Sequence, residues 1–170
     1  MKAVRKQFYK LVVLLVVVGM GALNCSAQDD VTHVTFKFWR SLRISDYHIE
    51  VSLLKIRDSI SATVIREPMP NHDRKGIQPA SKEVFTITEE EFNQAVLAVS
   101  KIKSSSVSNE FGYSGYDGTT CSLEFGTYAN SITYKVWSPD METSKRNLKP
   151  FLDACNLIIR TGKLKPSSVF

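Results

Sequence analysis

The sequence predicts an α+β domain: a single antiparallel sheet of about five or six strands with two helices packed on one face. Three observations carry this. Several short segments alternate apolar and polar residues with period two, as half-buried strands do. Two segments instead place apolar residues at helical spacing, and one of them opens with a capping box. No internal repeat or second domain boundary interrupts the 170 residues, so one two-layer domain is the economical arrangement.

The first 27 residues stand outside the fold. Lys2, Arg5, Lys6 and Lys10 form a positive leader, Leu11 to Val18 is unbroken apolar sequence, and Cys25-Ser26-Ala27 is a small-residue exit. These are the three regions of a bacterial secretory signal peptide, with cleavage expected between Ala27 and Gln28. The apolar core is too short for the roughly 20 residues that span a bilayer as a helix, so no membrane association is expected after cleavage. A lipoprotein anchored at Cys25 is the minor alternative, with Asn24 a poor residue before such a cysteine. The expected location is periplasmic or extracellular. The domain then covers residues 28 to 170, long enough to bury a core without disulfides or metals.

Removing the leader changes the electrostatics. Four of the 22 basic residues and none of the 17 acidic ones lie in it, leaving 18 against 17. The basic character of the chain therefore belongs to its targeting signal. Nucleic-acid binding, which wants clustered Lys and Arg on the folded part, receives no support.

Along the domain, Val34, Phe36 and Phe38 alternate with Thr35, Lys37 and Trp39 in a first strand over 32–39. Tyr47, Ile49, Val51 and Leu53 begin a second that runs to about Ile56. The turn Arg57-Asp58-Ser59 leads into a third, with Ile60, Ala62 and Val64 on one side, and the pair reads as a hairpin. Residues 67–82 contain Pro68, Pro70, Gly76 and Pro79 and form a long loop. A short fourth strand over 83–87 feeds Thr88-Glu89-Glu90-Glu91, a capping box whose acids also suit the positive end of a helix dipole. The helix expected over 89–101 carries Phe92, Ala95, Val96 and Val99 on one face and ends at Ser104-Ser105-Ser106.

A second long loop spans 107–118. Residues 119–126 and 131–137 then form a hairpin with Cys121, Leu123, Phe125, Ile132, Tyr134 and Val136 on a common face. After Ser138-Pro139-Asp140, a final helix reaches Thr161 with Leu148, Phe151, Leu152, Cys155, Ile158 and Ile159 as its apolar stripe. Pattern starts it near Thr143, whereas Pro150 argues for a start at 148 or 149. Gly162 is placed for its C-terminal cap, and the tail from Lys163 to Phe170 is expected to be loose.

The loop before the hairpin is the sequence's candidate ligand site: Phe111, Tyr113, Tyr116 and Asp117 lie among Gly112, Gly115 and Gly118. Tyrosine brings contact area with a polar handle, and loops carry function more often than cores do. The competing reading has the rings tucked over the core edge while Asp117-Gly118 turns into the strand. Ser114 does not make a nucleophile elbow, because Tyr116 stands where the second glycine belongs. Of the three histidines, His33 and His48 fall on outward strand positions, and His72 beside Asp73 has no second ligand at metal spacing. No metal or other cofactor is expected. Cys121 and Cys155 both fall on core faces, and two readings stay open: a disulfide closing a loop of about 35 residues, or two buried thiols.

The run Tyr116-Asp117-Gly118-Thr119-Thr120, then Leu123-Glu124, then Tyr134 to Pro139, followed by a helix with a buried cysteine, resembles small exported bacterial proteins of the Bacteroidetes type. The resemblance covers residues 112–160 and implies a compact α+β fold in the cell envelope, with no activity attached. The leading functional expectation is a non-enzymatic module that binds an envelope protein or glycan through the loops at 67–82 and 107–118. The alternatives are a small hydrolase or transferase using His72 and Asp117, and a structural accessory of an envelope assembly.

Overall fold

A computed structural model describes residues 31–40, 48–68, 79–108 and 118–170. Six strands, β1 (His33–Arg40), β2 (His48–Ile56), β3 (Ser59–Glu67), β4 (Ser81–Thr86), β5 (Thr119–Gly126) and β6 (Ser131–Trp137), form one antiparallel sheet. Their spatial order is β4-β3-β2-β1-β5-β6. The helices are α1 (Glu89–Ser100), the single-turn α2 (Ser104–Ser108) and α3 (Lys149–Thr161), and a 3-10 turn follows at Pro166–Ser168. The fold is α+β, with α1 and α3 packed together by the sheet.

One face of the sheet is apolar because alternation places the same parity inward on every paired strand. Val34, Phe36 and Phe38 of β1, Ile49, Val51 and Leu53 of β2, Ala62 and Val64 of β3, and Cys121 and Leu123 of β5 are all buried there. Phe92, Ala95, Val96 and Val99 of α1 close over them, with Phe151, Ala154, Cys155, Ile158 and Ile159 of α3. The capping box forms as its residues dictate: the Glu91 amide donates to the Thr88 hydroxyl at 3.2 Å, and the Thr88 amide donates to the Glu91 carboxylate at 2.8 Å.

Several boundaries differ from those read in the sequence. β4 begins at Ser81, two residues before the expected Glu83, because Ser81 and Lys82 pair with Arg66 and Ile65 of β3. Ile87 leaves the strand, donates its amide to the Ile60 carbonyl at 3.2 Å, and turns its side chain into the core. The serines after α1 continue as α2, where Ser106 donates to the Lys103 carbonyl at 2.7 Å and Val107 is buried. α3 starts at Lys149 with Pro150 in its first turn, where the missing amide costs nothing, and not at Thr143. Residues 139–147 are instead an irregular excursion held from within by Arg146. Its buried guanidinium donates to the carbonyls of Trp137 (2.7 Å), Ser138 (2.7 Å) and Met141 (2.9 Å).

Gly162 does its work by a different mechanism from the one its position suggests. Its φ is −72°, and Lys163 takes the left-handed conformation at φ 56°. Lys163 and Leu164 donate to Arg160 and Ile159, the paired bonds of a Schellman ending. Glycine is needed at 162 for space, since a Cβ there would lie 2.8 Å from Cγ1 of Val51 on β2. The C-terminal segment is likewise not a loose tail. Val169 is fully buried, Arg40 donates to its carbonyl at 2.6 Å, and the Phe170 ring lies 6.5 Å from Phe36 and 5.9 Å from Phe38. Apolar area at the chain's end thus covers the part of the sheet that the helices leave open.

Candidate functional site

The opposite face of the sheet carries no helix among the described residues, and its side chains follow from the strand registers. One cross-strand row at a single end of the sheet reads Glu67, His48, Trp39, Thr120, Trp137, contributed by β3, β2, β1, β5 and β6. These are the chain's only two tryptophans. The next row contains Glu50, Lys37, Ser122 and Lys135, and the one beyond it Thr63, Ser52, Thr35, Glu124 and Thr133.

The tryptophan row is braced. Trp39 stacks on His48 with ring centroids 5.1 Å apart and planes 10° from parallel. His48 Nδ1 in turn lies 3.1 Å from Glu67 Oε2, which fixes the imidazole edge-on. On the other side, the Trp137 indole lies over Gly118 so closely that a Cβ there would meet its Nε1 at 2.6 Å. Ionisable side chains pair across strands on this face: Lys37 Nζ is 3.5 Å from Glu50, and His33 Nε2 is 3.6 Å from Glu124. Glu50 also accepts from Ser52 at 2.9 Å, and Glu124 accepts from Ser131 at 3.0 Å.

The same end of the sheet is where the long connections attach. The chain leaves β1 and enters β2 there, leaves β3 and enters β4 there, and enters β5 there. Phe111, Tyr113, Tyr116 and Asp117, the residues the sequence singles out for ligand binding, lie outside the described residues, as do His72 and the 27–28 cleavage junction. What sequence reasoning missed is the row itself. Trp39 has outward parity in its strand and Trp137 opposes inward Val136, which is a readable signal. Only the pairing of β1 with β5 brings the two together.

Chemically, the His48–Glu67 pair resembles the base-orienting half of a catalytic triad. Among the described residues, His48 Nε2 is buried with no hydrogen-bond partner, and none of them places a hydroxyl or thiol where a nucleophile would be. The cysteines supply none either. Cys121 and Cys155 are both free and fully buried, so the disulfide reading is corrected to two core thiols. Burial pushes the Cys121 thiol well up, helped by the charge of Asp140. Burial raises Cys155 too, with Cys121 as its next influence. Such thiols stay protonated and unreactive.

Among the described residues, no three His, Cys, Asp or Glu side chains gather as a metal site requires, and no helix is long and apolar enough to cross a membrane. At the opposite end of the sheet a cleft of about 420 Å³ lies between the β2–β3 turn and the start of α1. Lys55 is tied to Glu89 across it at 2.6 Å. No protein-family model matches the chain, and no curated protein matches it.

Proposed function

We propose that the protein is an exported envelope protein whose domain is a non-enzymatic binding module for a protein or glycan partner, acting at the end of the sheet where Trp39 and Trp137 lie. The observation that carries this reading is the braced Trp39/Trp137 row. Large amphipathic rings, held in place at the end of a sheet face that carries no helix among the described residues, are what recognition sites use as anchors. Holding them before the partner arrives removes part of the ordering cost of binding. Export rests on the leader, with its positive, apolar and small-residue regions in order. The resemblance to small exported proteins points the same way.

The test is capture from envelope extract on the immobilised domain, residues 28 to 170. Thr120→Arg sets a long charged side chain between the two tryptophans of the row without deleting any residue of the core. Loss of the captured material in T120R, with an unchanged melting temperature, is the expected result. Equal capture by the variant would remove the row from the site.

A further inference from the structure

We infer that the edge of β4 pairs with the β4 of a second copy of the chain, joining two sheets into one across a twofold axis, independently of what the tryptophan row binds. The sheet has two edges, β4 and β6. An edge strand is a row of backbone donors and acceptors ready for another strand. At β4 that row follows from the ladder. The Ile87 amide reaches the Ile60 carbonyl at 3.2 Å, which continues the β3–β4 register as a hydrogen-bonded pair. Such pairs recur at every second position of an antiparallel ladder, so Ser81, Glu83 and Phe85 turn their backbone groups to β3. Lys82, Val84 and Thr86 turn theirs away from it, and no described residue receives them. The helices lie elsewhere, α1 against β5 and α3 against β1, and every β4 side chain except Phe85 is exposed. Val84, in the middle of the outward row, is 60% exposed.

Register and charge select a second copy as the occupant. A twofold axis perpendicular to the sheet reverses the strand and keeps its faces, so only residues of like parity can stand opposite each other. Centred on Lys82 or Glu83, the axis sets like charges directly opposite, which is destabilising. Centred on Phe85, it pairs only the end of the strand. Centred on Val84, it pairs the strand from Lys82 to Thr86. Val84 then exchanges backbone hydrogen bonds with the partner's Val84, Lys82 does so with the partner's Thr86, and the two exposed valines cover each other. On the helical face, Glu83 falls opposite the partner's Phe85. That ring carries a cation, because Lys163 Nζ lies 4.0 Å from the Phe85 centroid. Glu83, whose contact to Arg66 is a long 3.9 Å, gains this second positive partner on either side of the axis. The β6 edge suits the role less. α2 packs beside it, with Ser104 and Tyr134 hydroxyls 3.2 Å apart, and Lys135 stands mid-strand as a charge that guards an edge.

An edge this short buries less than the roughly 1,200 Å² of a standard interface, so the association is weak and concentration reveals it. Sedimentation velocity of the purified protein from about 5 μM to about 500 μM is expected to show reversible exchange between monomer and dimer. Val84→Pro removes an outward amide and no bond to β3, and should leave a monomer throughout. Glu83→Lys, at an exposed position, should weaken dimerisation at least tenfold. Adding Lys163→Glu to it should recover the dimer, which mere damage to the strand would not allow. A wild-type monomer at every concentration would overturn the inference, as would an association undiminished in either single variant. Growth past the dimer would overturn it too, since head-to-tail pairing of β4 with β6 does not close.

Discussion

The two faces of the same sheet are built from alternate residues of the same strands, yet they obey different rules. Phe36 is fully buried under the helices while its neighbours Thr35 and Lys37 face outward, one in a hydroxyl contact and one in an ion pair. On the inner face, apolar area is removed from water and shape is set by close packing, to the point that Gly162 can carry no Cβ over Val51. On the outer face nearly every contact is a polar pair between adjacent strands. The inner face therefore holds the fold together and leaves no freedom for chemistry. The outer face is free to carry it, and the rings of Trp39 and Trp137 stand there.

Reciprocal exchanges of valine and threonine sharpen this contrast. Val51 is fully buried between Phe36 and Val64 and beneath Gly162. Val51→Thr keeps the shape and inserts a hydroxyl where the surroundings are apolar. It should cost about 1–3 kcal/mol in urea unfolding. A near-neutral result would show that the inner face is less dry than its packing implies.

A smaller effect is expected where the inner layer begins, at the α1 cap. Thr88→Ala removes the acceptor for the Glu91 amide and should cost about 1 kcal/mol at neutral pH. The Thr88 amide, and next its hydroxyl, hold the Glu91 carboxyl below its ordinary value. A carboxyl depressed on folding stabilises above its unfolded value and loses that contribution as pH falls through the folded one. The difference between wild type and T88A should therefore shrink in acid, below the ordinary glutamate value of about 4. Unfolding midpoints across that range would show it; a gap that stays constant would assign the cap's effect to Thr88 alone.

The inner face was largely legible in the sequence because its cause is local. Alternation at Val34, Phe36 and Phe38, and at Cys121, Leu123 and Phe125, marks the strands, and Thr88 with Glu91 marks the helix start whatever lies elsewhere. Features set by contact between distant segments were not legible. Gly162 looks like a left-handed cap, and only the approach of Val51 shows that it is a spacer. Val169 and Phe170 look like a tail until the bare edge of the Phe36–Phe38 surface is seen. The outer row needed more still, since β5 inserts beside β1 across the whole intervening chain, and no local pattern records that Trp39 and Trp137 share a row.

The smallest expected effect tests the openness of the outer face most directly. Ser52 donates its only hydroxyl hydrogen to Glu50, so in the 3.1 Å contact between the Thr35 and Ser52 hydroxyls it is Thr35 that donates. Thr35→Val removes that donor and leaves one lone pair of Ser52 unfilled. Ser52 is only half-buried, so water can replace the lost donor, and valine suits a strand as well as threonine does. Stability should stay within about 0.5 kcal/mol of wild type, as for an ordinary surface exchange. Thr35 itself is only 9% exposed, so burial alone would predict a larger response. A loss on the scale of Val51→Thr would mean that the outer face is sealed as the inner one is.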